Sequence, residues 1–292
     1  MDLKKNKLNI CKIYDDFELF GGKNKDNKDN FKQKRYVVKF KTKNIIKYKS
    51  RYIKFSQNQL QILDALLNDG GEKKYLDSND NLRYSEHSGL FDFDKTRLER
   101  IIISGKTSRE DADDADILLP HNMIDAVDYE YMFHTHPPTP YPGARALQGI
   151  LYEFPSVSDL YHFAYHYNEG HIQGSMIIAP EGIYIIKMKT KIKYIEMPSN
   201  KIANKMEEIN FKIQDLAIKV YGNDFSNHRK QIYYEKVCND FKYIKYFNKM
   251  VQQYFHPQMI IIYKPREFDR KTNKWIIKSL YVKVEPVEIE FN

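Results

Sequence analysis

The order of helical and strand-like segments between residues 56 and 190 constrains the fold more than any other feature of the sequence. Leucines at helical spacing predict a first helix over 57–69, with a capping box before it and the glycine pair Gly70-Gly71 as its stop. The segments that follow are predicted strands at 81–94, 97–105 and 125–136, a helix at 156–170 and a strand hairpin at 174–189. This alternation indicates an α/β fold with a mixed sheet flanked by helices.

The segments on either side of this domain have different patterns, and the sequence therefore predicts three parts. These are a basic β-rich N-terminal extension at 1–55, the α/β domain at 56–197, and a helical pair with a terminal β segment at 198–292. In the third part, helical spacing extends over 199–221 and about 224–255. We expect this part to pack on the domain or to bind a protein partner.

Charge is unevenly distributed along the chain, and this distribution bears on its partners. Residues 1–54 carry 17 Lys and Arg against 6 Asp and Glu, residues 55–197 carry 13 against 22, and residues 198–292 carry 17 against 11. Lysines interleaved with aromatic residues are typical of nucleic-acid-binding surfaces. Exposed lysines also protect edge strands from pairing, so we do not expect nucleic acid to be the main partner.

Cysteine usage and apolar runs bear on the compartment. Two cysteines, Cys11 and Cys238, are too few for a disulfide framework and favour a reducing, cytoplasmic environment. The N-terminal residues lack the apolar core and cleavage site of a signal peptide, and the longest apolar runs are too short to span a bilayer. We therefore expect an intracellular protein that neither spans nor binds a membrane.

The stretch 133–160 holds the residue types of a metal site. Alternate side chains of a strand share a face, so His134 and His136 point to one side of the sheet and can reach one ion. Ser156 and Asp159 have the spacing of a capping box at the start of the second predicted helix. Two imidazoles and one carboxylate leave zinc an open fourth position for water. Taken singly, each motif is more often a polar strand end or an ordinary helix cap.

These residues resemble the JAMM motif of the MPN/JAB-domain zinc metalloproteases. The motif joins His-x-His-Pro, here His134 to Pro137, to a downstream Ser-x-x-Asp, here Ser156 to Asp159. It begins with a Glu on an earlier strand, followed by a glycine, and Glu86 with Gly89 fits this pattern. The resemblance covers about 56–190 and implies a fold similar to that of the cytidine deaminases.

The resemblance also implies a role for each residue of the motif. His134, His136 and Asp159 would bind Zn²⁺. Glu86 would be the general base that takes a proton from the attacking water and delivers it to the leaving amine, and Ser156 would donate to the oxyanion. Many members of the family cleave isopeptide bonds to ubiquitin or ubiquitin-like proteins. The implied activity is that of a deubiquitinase-like isopeptidase or peptidase acting on a ubiquitin-like conjugate.

The sequence departs from the family pattern in one place. The 22 residues of 137–158 lie between the second histidine and the aspartate, which is longer than the usual spacing. The additional residues predict a loop over or beside the site. In this family such insertions tend to shape substrate recognition, so the departure bears on the substrate more than on the metal.

Several other residues compete for roles in the site. His162 and His166 share a helix face with the aspartate, and they could form a second metal pair or be partly buried helix histidines. Glu99 and Glu130 are alternative bases, although Glu99 lies in a basic turn and Glu130 is close in sequence to the histidines. The acidic run at 111–116 predicts a solvated loop, or a surface for an arginine-rich tail.

A non-catalytic role stays open as an alternative. The protein would then be a structural or scaffold subunit, for example of a virion, with an idle MPN-like domain used for contacts. The complete set of ligands and catalytic residues favours the enzyme. The large share of the chain outside the domain favours the scaffold.

Overall fold

The structure is a computed structural model that describes residues 50–108, 117–121, 127, 129–136, 141–225 and 230–285, apart from 73, 81 and 95. Three predicted features lie outside these residues. They are the acidic run at 111–116, the start of the insertion at 137–140, and the N-terminal extension before residue 50.

The described part of the chain forms the following elements. The first are β1 (Arg51–Lys54), α1 (Gln57–Glu72), β2 (Lys74–Leu76), β3 (Leu82–Tyr84), β4 (Ser88–Phe93), β5 (Leu98–Ile103), β6 (Tyr131–Thr135), α2 (Val157–Glu169), β7 (Gly174–Ile178) and β8 (Gly182–Met188). They are followed by α3 (Asn200–Tyr221), α4 (Lys230–Ile232), α5 (Phe241–Met250), β9 (Met259–Pro265), β10 (Glu267–Asp269), β11 (Lys274–Ile276) and β12 (Tyr281–Val284). A 3₁₀ turn at Ala144–Gln148 precedes α2, and π-helical turns at Tyr233–Val237 and Val251–Phe255 continue α4 and α5.

A six-stranded sheet lies at the centre of the fold. Its strands have the order β5-β4-β6-β7-β8-β9. All neighbouring pairs are antiparallel except β6 and β7, which are parallel and are connected through α2. The mixed α/β fold class, with a mixed sheet flanked by helices, is thereby confirmed.

Each face of the sheet has its own hydrophobic core, because alternate residues of the buried strands point to opposite sides. Phe133 of β6 packs in one core with Leu63 of α1 and with residues of β1 and β12. Met132, its neighbour, packs in the other core with Phe163 of α2 and with residues of α3 and α5. The face of Met132 is also the face of His134, so the strand periodicity assigns the predicted ligands to the side covered by α2.

Three predicted boundaries are wrong. The helix α1 does not end at Gly70 but continues through both glycines to Glu72, with Gly70 on its buried side beside Leu67. Packing there outweighs the cost of about 0.5–1 kcal/mol that glycine brings to a helix. The predicted strand at 81–94 is divided between β3, which pairs with β2, and β4, which joins the central sheet. The helical stretch at 224–255 is interrupted at residues 238–240, between the first π-helical turn and α5.

The C-terminal part of the chain contributes to the sheet as well as to its cover. β9 pairs with β8 over the full length of both strands and forms one edge of the sheet. β12 pairs with β1, from the opposite end of the described chain, in antiparallel register. No helix of the described residues has the length and apolar character needed to cross a membrane. A role of residues 198–292 in binding a partner stays a prediction.

Gly89 provides a test of how closely β4 and β6 pack. A Cβ atom at this position would collide with the carbonyl oxygen of Ile102 and with the ring of Phe133. We expect Gly89→Ala to lower the free energy of unfolding by about 1–3 kcal/mol, because overpacking forces neighbouring groups to move. Urea denaturation measures the loss. Gly105→Ala is the matched control, since nothing lies within 4 Å of a Cβ there. A loss of similar size in both variants would contradict the prediction.

Candidate metal centre

β6 carries the two predicted imidazole ligands to the end of the central sheet. His134 lies within the strand and pairs with Ser88 of β4 and Ile177 of β7. His136 follows the strand, and its backbone N–H still donates to the carbonyl of Ile178, 3.0 Å away. Both side chains are buried, at 4% and 8% exposure. The alternation of the strand therefore places both imidazoles on one face, as predicted.

α2 positions the third predicted ligand through its N-terminal cap. Ser156 is the N-cap residue, and its Oγ accepts a hydrogen bond from the Asp159 N–H at 3.1 Å. In return, Asp159 Oδ2 accepts from the Ser156 N–H at 2.6 Å. The capping box predicted from the sequence is therefore confirmed. Leu160 and Phe163 are fully buried and hold this end of the helix against the sheet.

The three side chains converge in one place. Asp159 Oδ1 lies 3.1 Å from Nε2 of His134, and Oδ2 lies 3.1 Å from Nε2 of His136. The donor atoms of all three residues lie within 4.8 Å of one another. The two histidine–carboxylate separations are close to the distance of about 3.3 Å between donor atoms of a tetrahedral ion, and the group could hold a metal ion. Among the described residues this is the group of His, Cys, Asp and Glu side chains able to share an ion.

The hydrogen bonds of His136 show that the site favours positive charge. Its Nδ1 lies 2.9 Å from the backbone carbonyl of Glu153, which can only accept, so Nδ1 carries a proton. In the neutral imidazole, Nε2 then has a lone pair directed at the carboxylate of Asp159. Two lone pairs facing one another require a cation between them, either a proton or a metal ion.

The pKa shifts have the same origin. Burial alone would lower the pKa of His136, but the hydrogen bond and charge of Asp159, with smaller effects of Glu153 and Glu86, raise it to about 9. Burial likewise opposes the charge of Asp159. The imidazoles of His134 and His136 outweigh burial there and hold the pKa of the carboxyl well below its usual range. The carboxylate is therefore in the form that binds a metal.

Glu86 lies beside this group. Ser88 pairs with His134, and the N–H of Thr135 donates to the His87 carbonyl at 2.7 Å, so the antiparallel pairing continues past the end of β4. Two residues further on, this register places Glu86 opposite His136. The charge of Glu86 contributes to the raised pKa of His136. The side chain is only half-buried, and so it has access to solvent.

The hydroxyl group of Ser156 can donate a hydrogen bond to a further partner. Its Oγ accepts from the Asp159 N–H, and it lies 2.7 Å from the Oγ of Ser158, where either hydroxyl can donate. Ser156 is partly exposed. The hydroxyl can therefore donate to a bound molecule when Ser158 supplies the other proton.

The other candidate residues have different surroundings. Glu99 is exposed on β5, and Glu130 accepts a hydrogen bond from the Phe93 N–H at 3.0 Å. His166 is buried with its ring centre 4.6 Å from that of His162. Burial lowers the pKa of His166 to about 4, and its Nδ1 has no hydrogen-bond partner among the described residues. These two histidines do not form a group of three ligands with a neighbour in the described structure.

Two carboxyl groups near the centre were missed by the sequence analysis. Glu153 forms an ion pair with Arg145 at 2.7 Å, and burial raises the pKa of its carboxyl. Glu181 lies in the turn between β7 and β8, fully buried, where Oε1 accepts from the Glu153 N–H and the Tyr184 hydroxyl. Burial raises the pKa of Glu181 to about 7. The available signal was an acidic residue within an apolar stretch, LYEFP, and another within the Pro-Glu-Gly turn.

The described part of the insertion is packed beside the centre. After the 3₁₀ turn, Leu151, Tyr152 and Phe154 are buried in the core that α2 and α5 share. The rings of Tyr152 and Phe154 stack at 5.0 Å, and Phe154 also stacks on Phe247 of α5. The predicted position beside the site is therefore observed at Glu153, whose carbonyl contacts His136, and the residues around it belong to the core.

Comparison with known proteins gives one viral relative. Uncharacterized protein R413 of Acanthamoeba polyphaga mimivirus is 35% identical to the chain over 253 residues, which is 84% of this chain and 68% of the viral protein. No family model matches the chain, and no solved structure matches it significantly. The similarity to the viral protein covers most of both chains and is not limited to one motif.

Proposed function

The chain belongs to the family of the mimivirus protein R413, and we propose that it is a zinc-dependent hydrolase of the JAMM type with an MPN/JAB-like fold. The proposed activity is that of an isopeptidase or peptidase acting inside the cell on a conjugate of ubiquitin or a ubiquitin-like protein. The observation that carries the proposal is the buried convergence of His134, His136 and Asp159, with both Nε2 atoms 3.1 Å from the carboxylate.

The order of the site along the chain supports the resemblance to the JAMM family. Glu86 precedes the edge-proximal strand β4, the histidines end β6, and Asp159 lies in the first turn of the helix that connects β6 to β7. These three segments are neighbours in space although more than 70 residues separate the first from the last. A helix cap alone does not require two histidines in contact with its carboxylate.

The chemistry of the donor set suits zinc. Two imidazoles and a carboxylate are the ligand types that catalytic zinc sites use with an open fourth position. A zinc ion held by these three residues would lower the pKa of a water molecule to about 7 and would so supply a nucleophile at neutral pH. The Glu153 carbonyl fixes Nδ1 of His136 as a donor, which leaves Nε2 for the metal.

Glu86 is the proposed general base and acid. The register of β4 and β6 places Glu86 opposite His136, and the residue is only half-buried and so reaches solvent. A carboxylate there can accept a proton from the attacking water and give it to the amine of the leaving group. Ser156, with its available hydroxyl proton, would donate to the oxyanion that develops on the carbonyl.

Metal removal and restoration test the proposal. We expect the purified protein to cleave at least one member of a panel of ubiquitin and ubiquitin-like isopeptide conjugates, because the base and oxyanion donor flank the ligand group. A strong zinc chelator should abolish cleavage, and added Zn²⁺ should restore it. Cleavage is followed by gel electrophoresis. Full activity in the presence of the chelator would contradict the proposal, and a protein that neither binds zinc nor cleaves would favour the scaffold alternative.

A further inference from the structure

The backbone of residues 151–153 is held entirely by buried side chains, and we call it the clamped segment. Each of its six polar backbone groups bonds to a side chain. Gln214 bonds the N–H groups of Leu151 and Tyr152 and the Tyr152 carbonyl, and the Tyr233 hydroxyl bonds the Leu151 carbonyl. Glu181 accepts from the Glu153 N–H, and His136 bonds the Glu153 carbonyl. The distances range from 2.7 to 3.0 Å. The last of these contacts connects the segment to the metal centre.

Gln214 has the largest share in this arrangement. Its Oε1 accepts from the N–H groups of Leu151 and Tyr152 at 2.9 and 3.0 Å, and its Nε2 donates to the Tyr152 carbonyl at 2.8 Å. The side chain is 2% exposed and lies on the buried face of α3 beside Ile213 and Ala217. A buried amide in an apolar helix face is costly unless it is hydrogen-bonded, and here every bond goes to the clamped segment.

The segment cannot satisfy these groups by itself. It has no regular secondary structure, and buried backbone groups need partners to avoid a desolvation penalty. Without Gln214, two N–H groups and one carbonyl would lose their bonds inside the core. The segment would then shift towards water, and the Glu153 carbonyl would shift with it.

We propose that Gln214 is a positioning residue of the metal centre, which acts through the clamped segment on the orientation of His136. The Glu153 carbonyl receives the Nδ1 proton of His136 at 2.9 Å and so directs Nε2 towards Asp159. Partners of this kind set the tautomer and ring orientation of metal-binding histidines. The inference rests on the metal site proposed above, and it makes α3 a supporting part of that site.

The test compares zinc affinity in two glutamine variants. Gln214→Leu removes the amide and keeps a side chain of similar size. We expect its affinity for Zn²⁺, measured by competition with a chromophoric chelator, to fall about 10-fold. This is the lower end of the decrease seen when a metal ligand loses its hydrogen-bond partner. Gln173→Leu is the matched control. The Gln173 amide bonds both backbone groups of Glu285, at the start of β7 and away from the histidines, so its zinc affinity should equal that of the unchanged protein.

A readout on the zinc-free protein separates this inference from the proposed function. We expect the Nδ1 proton of His136 to exchange slowly with water in the unchanged protein and in Gln173→Leu, and faster in Gln214→Leu. NMR of protein labelled with ¹⁵N-histidine measures the exchange. If the unchanged protein binds no zinc, the proposed function fails and the proton exchange still decides the role of Gln214. If zinc binds equally well to all three proteins, the inference alone is overturned.

A milder variant covers the case in which Gln214→Leu does not fold. Tyr233→Phe removes only the hydroxyl that donates to the Leu151 carbonyl at 2.8 Å. We expect a smaller decrease in zinc affinity, in the same direction, with faster exchange of the His136 proton. Unchanged affinity and exchange in a folded Tyr233→Phe protein would overturn the inference.

Discussion

We expect the Glu86→Gln variant to keep a stoichiometric zinc ion and to lose about 10²–10⁴-fold in turnover, the usual contribution of a positioned general base. Glutamine has nearly the size and shape of glutamate but cannot accept the proton. The three metal ligands are unchanged, and the backbone N–H of Glu86 keeps its bond to the Thr107 carbonyl at 3.1 Å. Elemental analysis measures the zinc, and single-turnover cleavage of the best conjugate measures the chemical step.

Two matched variants make this prediction specific. Glu99→Gln removes an exposed carboxylate of β5 and should leave turnover unchanged. Glu153→Gln removes the other carboxylate near His136, which forms the ion pair with Arg145. If Glu153→Gln abolished turnover and Glu86→Gln retained it, the base would be Glu153 and the assignment of Glu86 would be wrong.

The second large effect is the loss of metal in Asp159→Ala. Its carboxylate contacts both Nε2 atoms, so alanine removes a ligand and the anionic group that bridges the two imidazoles. We expect zinc affinity to fall by more than the factor of about 10–100 that is typical when a metal ligand loses only its hydrogen-bond partner. The variant should also lose activity in proportion to its bound zinc. Elemental analysis after gel filtration measures the retained metal.

Asp159 is also part of a helix cap, and this requires its own control. Asp240 is the N-cap of α5, and its Oδ1 accepts from the Lys242 N–H at 2.9 Å. Asp240 Oδ2 also accepts from the Tyr221 hydroxyl at 2.7 Å, so Asp240→Ala should cost about 2 kcal/mol of stability and retain all of its zinc. If Asp159→Ala retained stoichiometric zinc, its only role would be the cap, and the ligand assignment would fail.

The parts of the site that could be predicted depend on short-range geometry. The period of two in a strand is sufficient to place His134 and His136 on one face, and the three-residue spacing of Ser156 and Asp159 is sufficient to predict the capping box. Each prediction needed only a few adjacent residues. The relation of Glu86 to the histidines was more distant in sequence, and it came from a family resemblance and not from the periodicity.

The supporting contacts could not be predicted, because they join residues far apart in the chain. Gln214 lies 62 residues from Tyr152, and in the sequence it is a polar residue inside an apolar helix face with no visible partner. Glu181 appears in the sequence as a normal turn residue, although it is fully buried in the fold. Only the tertiary structure decides which buried polar groups meet.

Helix ends were predicted well where side chains cap them and poorly where packing decides. α2 begins after Ser156 as expected from its cap, whereas α1 continues through Gly70 because that residue lies on a packed face. The stretch after residue 224 has helical spacing throughout. Its two π-helical turns have i→i+5 hydrogen bonds, so the spacing of 3.6 residues that predicts an α-helix does not hold there.

The pairing of β1 with β12 has a consequence for the synthesis of the protein. Arg51 is paired with Val284, so β1 leaves the ribosome long before its partner has been translated. In the folded protein Ile53 and Phe55 are buried with Leu280 and Val282. Until β12 is made, these two side chains lack the residues that pack on them. These apolar side chains are therefore exposed on the nascent chain through most of translation. Chaperones that bind exposed apolar segments can bind this one.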